Sequence, residues 1–168
     1  MNLDDVPAGS LCVVDTNVLL YAEQGVSAQA QRFIRRCGSG EVKGVLPQTV
    51  WQELAHKLML AEAMVRGLVS GGNPAAKLAA KPDAVRGLTL YRAKVKSLLD
   101  LGFGFEPCQL GDLTDRAFAL QEKYGLLTND AVVLAVALRL KADCLISRDK
   151  GFGGVDELDL YFPTDLRL

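Results

Sequence analysis

The chain has 168 residues, of which 49% are apolar, and a formal net charge of −1. That length suits one domain with a real core, and that apolar share argues against disorder. The longest apolar run, 131–138, is far too short for a membrane span, and MNLDDVPAGS carries no secretory pattern, so a reducing cytoplasm is expected.

Leu11–Val14 is a short, wholly apolar run that ends in Asp15. Such a run suits the central strand of a parallel sheet. A helical pattern begins at 18–21, with Thr16 and Asn17 as candidate caps. Asp15 then lies at the carboxyl end of a strand, the edge where open α/β sheets bind ligands. Residues 27–37 read as a helix with Ala30, Phe33, Ile34 and Cys37 on one face, closed by Gly38-Ser39-Gly40. Residues 42–46 form a second strand.

Pro47 fits the first turn of the next helix. There Val50, Leu54 and Leu58 recur every four residues as a core stripe. Glu53 lies in its first two turns, where most glutamates are simply solvated. Trp51 and His56 read as packing or surface residues. The helix is expected to continue to about Val69 before Gly71-Gly72 and Asn73-Pro74 break it. A further helix starts at Asp83 or Thr89 and runs to Leu101, with Leu90, Val95, Leu98 and Leu99 inward.

Residues 54–100 hold 8 Lys/Arg against 3 Asp/Glu, a local +5, while 1–53 and 101–168 carry −2 and −4. Solvated helix faces account for such a run, and so does a phosphate-binding surface.

Residues 103–108 are the third predicted strand. A helix over 113–124 follows, with Thr114 as cap, Ala117, Leu120 and Tyr124 inward, and Gly125 as terminator. Thr128 or Asn129 caps the next helix, which runs to Lys141 and puts Asp130 in its first turn, where the dipole favours a carboxylate. Residues 143–147, DCLIS, are a buried strand that delivers the chain to Asp149. Residues 158–162 form a last strand, stopped by Pro163.

Strands alternating with helices imply a parallel α/β sandwich. About 11 residues of helix climb roughly 17 Å, and about 5 residues of strand return the same distance. Asp130 and Asp149 therefore finish at one edge, with Asp15. Asp143, which begins its strand, belongs to the opposite edge. Glu53 joins the first group if its helix starts there.

Carboxylates converging in one cleft repel one another unless neutralised, and all-oxygen ligands suit Mg²⁺ or Mn²⁺. Such an ion lowers the pKa of a bound water and stabilises charge on a phosphoryl oxygen. Four scattered cysteines and the single His56 speak against zinc, a disulfide framework or a Ser–His nucleophile. No phosphate-cradling glycine loop is present. The pattern points to metal-assisted phosphodiester hydrolysis. A phosphoacceptor receiver domain would want an acidic pair at a strand end, whereas Asp4-Asp5 precede the first strand.

DTNVLLYA at 15–22, the Glu of QELAH at 52–56, TNDAVVLAVAL at 128–138 and ISRDKGF at 146–152 resemble the PIN domain, the nuclease fold of the VapC-type toxins. The resemblance runs over nearly the whole chain, in the family's order. It implies a three-layer α/β/α sandwich with a mainly parallel five-stranded sheet, as one domain over 1–168. A helical, basic extension at about 60–100 is the main departure from the small toxins, as arms that grip RNA or pair subunits. The resemblance also implies Mg²⁺- or Mn²⁺-dependent cleavage of RNA, an antitoxin partner and a homodimer. Asp15, Glu53, Asp130 and Asp149 match the acidic quartet, with Asn17 and Ser147 as supporting neighbours. Asp15, Asp130 and Asp149 would bind metal, while Glu53 orients or deprotonates the attacking water. The alternative is a catalytically silent PIN-fold module that binds RNA or protein, against which the presence of all four acids argues.

Overall fold

In the computed structural model, which describes residues 1–166, five short stretches join in one sheet. They are β1 (Leu11–Val14), β2 (Lys43–Pro47), β3 (Gly104–Glu106), β4 (Cys144–Ile146) and β5 (Asp159–Tyr161), in the order β3-β2-β1-β4-β5. All four pairings are parallel. Cys12, Val13 and Val14 of β1 and all of β4 are buried, as expected of strands covered on both faces.

The chain steps one way from β1 through β2 to β3, then crosses back to β4 and β5. Right-handed crossovers in opposite directions place their helices on opposite faces. The first set is α1 (Thr16–Glu23), α2 (Ala28–Gly38), α3 (Gln48–Val65), α4 (Pro74–Ala79), α5 (Pro82–Arg86) and α6 (Leu90–Asp100). The second is α7 (Leu110–Leu113), α8 (Asp115–Tyr124) and α9 (Thr128–Arg139). The result is the three-layer sandwich expected from the sequence, with β1 at its centre. Local chemistry sets several bounds. Ser27 caps α2 by accepting Ala30 N–H at 3.0 Å, and Gly125, at φ 69°, closes α8 in the left-handed region.

The structure departs from the sequence reading in the middle of the chain. α3 stops at Val65, four residues early, where Gly67 turns the backbone left-handed at φ 67°. Residues from Asp83 do not open α6; they belong to the short α5. Thr89 gives α6 no side-chain cap. Glu62 of α3 does so instead, accepting Thr89 N–H at 3.1 Å and Tyr91 N–H at 2.9 Å. Val95 and Leu98 turn inward, but Leu90 and Leu99 are exposed. Ala63, Val69, Leu78 and Leu88 form a small second core under α4 and α5.

Farther along, the predicted strand 103–108 narrows to three residues, since Pro107 has no N–H to extend the ladder. The predicted helix 113–124 forms as α8 from Asp115, with Thr114 at its N-cap position but without a side-chain cap: its hydroxyl donates to Leu110 O at 2.8 Å, in the separate single turn α7. Neither Thr128 nor Asn129 caps α9, whose N-cap is Leu127 with no side-chain bond. Trp51 is a packing residue, edge-on to Phe105 at 6.0 Å, and His56 is exposed.

Gly44 is where β2 leaves no room. A Cβ there would meet Phe103 Cε1 at 2.6 Å and Cys37 Sγ at 3.0 Å. Gly44→Ala should destabilise the protein by about 1–3 kcal/mol through overpacking. Urea unfolding checks this, and an unchanged midpoint would mean the Phe103 ring moves aside freely.

Candidate active site

The crossover direction reverses between β1 and β4, so a crevice opens beyond their carboxyl ends. Four acids arrive there from four elements. Asp15 follows β1 and caps α1 by accepting Thr16 N–H at 2.6 Å. Glu53 stands in the second turn of α3. Asp130 is the third residue of α9. Asp149 follows β4 and caps the 3-10 turn Lys150–Gly154, accepting Gly151 N–H at 2.7 Å. Asp143 lies at the other edge, where its carboxylate accepts Leu11 N–H at 2.7 Å.

The two supporting residues sit between these acids. Ser147 is fully buried and donates to Asp15 Oδ2 at 2.6 Å, while accepting Asp149 N–H at 3.0 Å. Asn17 donates to the same Asp15 oxygen at 2.6 Å and accepts Arg148 N–H at 3.1 Å. One hydroxyl and one amide thus tie the loops after β1 and β4 together.

Two contributors went unread in the sequence. Thr16, treated there only as cap chemistry, donates its hydroxyl to Glu53 Oε2 at 3.1 Å. Lys57 places Nζ 2.6 Å from Glu53 Oε1. The second was signalled by its spacing, since residues i and i+4 of a helix are neighbours.

Charge is the dominant feature of the crevice. Asp15 is 8% exposed, and burial raises its pKa, with Glu53 and Asp149 adding to the rise. Hydrogen bonds from Ser147 and Thr16 oppose that shift. Asp130 is pushed up to about 6, by burial first and then by the charges of Asp149, Asp15 and Glu53. Asp130 therefore feels all three other acids, and Asp15 feels Glu53 and Asp149.

Their oxygens differ in availability. Donors engage both oxygens of Asp15 and both of Glu53. Among the described residues no donor reaches Asp130, and only Oδ1 of Asp149 is engaged. No three His, Cys, Asp or Glu side chains among the described residues already enclose a common point as a metal cage. Donor type and excess negative charge fit a hard divalent cation, with Asp130 and Asp149 offering the open oxygens.

The raised pKa of Asp130 has a sign that stability measurements can read. The folded state holds this proton more tightly than the unfolded chain, so the group favours folding at low pH. That contribution is lost as pH rises through about 6. Without divalent ions, Asp130→Asn should raise the melting temperature at about pH 7.5, and the gain should shrink towards about pH 4. Thermal melts in chelator at both pH values test this; an equal gain at both would show that the ionised carboxylate is not the cause.

Comparison with known proteins bears on the fold. The family model described as PIN domain matches residues 12–158, a span that takes in all four acids. A toxin–antitoxin complex from Klebsiella pneumoniae has a chain of similar fold, with a TM-score of 0.57 at 19% identity, covering 94% of this chain and 99% of that one. A chain of VapBC2 from Rickettsia felis, crystallised with a DNA fragment from its promoter, gives a TM-score of 0.58 at 14% identity, covering 90% and 97%. No curated protein matches the sequence. The sandwich, its strand order and the extent of the family match agree: the chain belongs to the PIN domain family.

Proposed function

We propose that the protein is a divalent-metal-dependent ribonuclease that acts as the toxin of a toxin–antitoxin pair. The observation that carries this is the convergence of Asp15, Glu53, Asp130 and Asp149 on one crevice, strongly enough for all three partners to raise Asp130. A stable fold gains nothing from like charges gathered this way, whereas a cation site needs them.

Asp15, Asp130 and Asp149 would hold Mg²⁺ or Mn²⁺. The bound ion would supply a water of lowered pKa and charge stabilisation at a phosphoryl oxygen. Glu53 orients that water or takes its proton. Ser147 and Asn17 fix the direction of Asp15, as outer partners of metal ligands do. The two structural neighbours come from toxin–antitoxin assemblies, which supports an antitoxin as the protein partner. A homodimer and a cytoplasmic setting complete this reading; no described helix is long and apolar enough to cross a membrane.

Asp15→Asn should lower cleavage of single-stranded RNA in Mn²⁺ by at least about 10- to 100-fold, the loss seen even when an outer partner of a metal site is removed. Undiminished cleavage would remove the assignment. Mn²⁺ should also raise the wild-type melting temperature; no response would favour the silent PIN-fold binding module.

A further inference from the structure

Glu53 is the only one of the four acids paired with a basic side chain among the described residues. Its partner, Lys57, stands one helical turn on, with its side chain 46% exposed. An exposed pair at this spacing adds little to stability, so the fold itself does not need the contact. Lys57 also lines a cavity of about 420 Å³ walled by Leu20, Met64, Pro74 and Lys94, which leaves its stem room to move. A lysine ammonium is a compact charge on a flexible stem, able to exchange one oxyanion for another. The other cations near the crevice are placed differently. The Arg148 guanidinium is stacked over the Phe162 ring at 5.2 Å. Lys150 sits in the turn after Asp149 with no acid paired to it among the described residues.

A phosphodiester that enters this crevice brings negative charge to four acids. It also meets Glu53 with both oxygens occupied, one by Thr16 and one by Lys57. Moving the ammonium from Glu53 to the phosphate relieves both problems at once. It neutralises the incoming charge and frees Oε1 at the moment a water must be oriented. Resting on the ribonuclease reading above, we propose that Lys57 is a phosphate-positioning residue, whose ammonium leaves Glu53 Oε1 for a phosphate oxygen of single-stranded RNA.

The test compares wild type with Lys57→Gln, Lys57→Arg and Arg32→Gln. Arg32 is the control: it is equally exposed at 46% and pairs with an acid at the same 2.6 Å. That acid, Asp4, responds to Arg32, Arg36 and Asp165 and to none of the quartet. Two quantities are read across a salt series: kcat and KM for a single-stranded RNA in Mn²⁺, and the Kd of the same RNA by anisotropy in chelator. Lys57→Gln should raise KM and Kd about tenfold, the worth of one hydrogen bond to a charged group. It should also flatten the log–log salt dependence by about 0.7, the value of one phosphate contact on a single strand. Lys57→Arg should restore the slope, and Arg32→Gln should leave it unchanged. The proposal is overturned if Lys57→Gln keeps the wild-type KM, Kd and slope, or if Arg32→Gln changes them equally. A wild type that binds RNA but never cleaves it sinks the nuclease reading, while the binding series still decides the role of Lys57. A wild type that does not bind RNA at all sinks both.

Discussion

A buried carboxylate needs donors in place of the water it has lost, and Asp15 is where this protein meets that demand. Its donors are its own helix's first N–H, Asn17 and Ser147. The last comes from the neighbouring strand, and strand register puts it there. Val14 pairs with Ile146, and Asp15 N–H donates to Ile146 O at 2.9 Å, so the next residue of each chain projects past the sheet edge side by side. A slip of one residue would turn Ser147 to the other face and leave Asp15 buried without its strongest neutral donor. The geometry of this acidic edge and the central strand pairing are thus one constraint. Asp149 depends on it too, because Ser147 also receives its N–H.

Much of this was legible because it follows from period and length. β1 ends where its apolar run ends, at an acid. The rise of α9 against the return of β4 is enough to bring Asp130 and Asp149 to one edge. The contacts that make those acids a network were not legible in the same way. Thr16 meets Glu53 across 37 positions and Asn17 meets Ser147 across 130, and no local pattern encodes either. Reading Asn17 and Ser147 as partners needed the family resemblance. Lys57 could have been found by spacing alone, but an i,i+4 pair is so common on helices that it carried no weight until Glu53 was placed at the crevice.

The middle of the chain failed for a related reason. Its glycines and prolines announce breaks but not what packs between them. α6 has no cap of its own, and a carboxylate from α3, 27 residues earlier, takes that part. Glu62 is buried in doing so, and Arg66 beside it donates to Gly87 O at 2.7 Å. The stretch from α4 to the start of α6 is therefore anchored by polar side chains of α3 and by the small cluster of Ala63, Val69, Leu78 and Leu88, while Val95 farther along α6 packs into the main core. Amphipathic periodicity has little to report there. The wrong inward assignment of Leu90 comes from the same cause: the helix is oriented by its clamped N-terminus, not by a full apolar stripe.

The four acids are not equivalent, and the difference argues for a working site over a relic. Asp15 and Glu53 each have a donor on both oxygens. Asp130 is half-buried, has no donor among the described residues, and faces three like charges. Burial and like charge both disfavour its ionised form, and only the helix dipole favours it. A neutral residue would keep the helix and relieve the repulsion, at the loss of a dipole contribution of no more than about 2 kcal/mol in a partly buried setting. Where a chain breaks a local rule without visible compensation, the missing term usually comes from outside the chain. Here the missing term has a sign, a place and a preferred donor type: a positive charge, beside Asp130 and the free oxygen of Asp149, with affinity for oxygen.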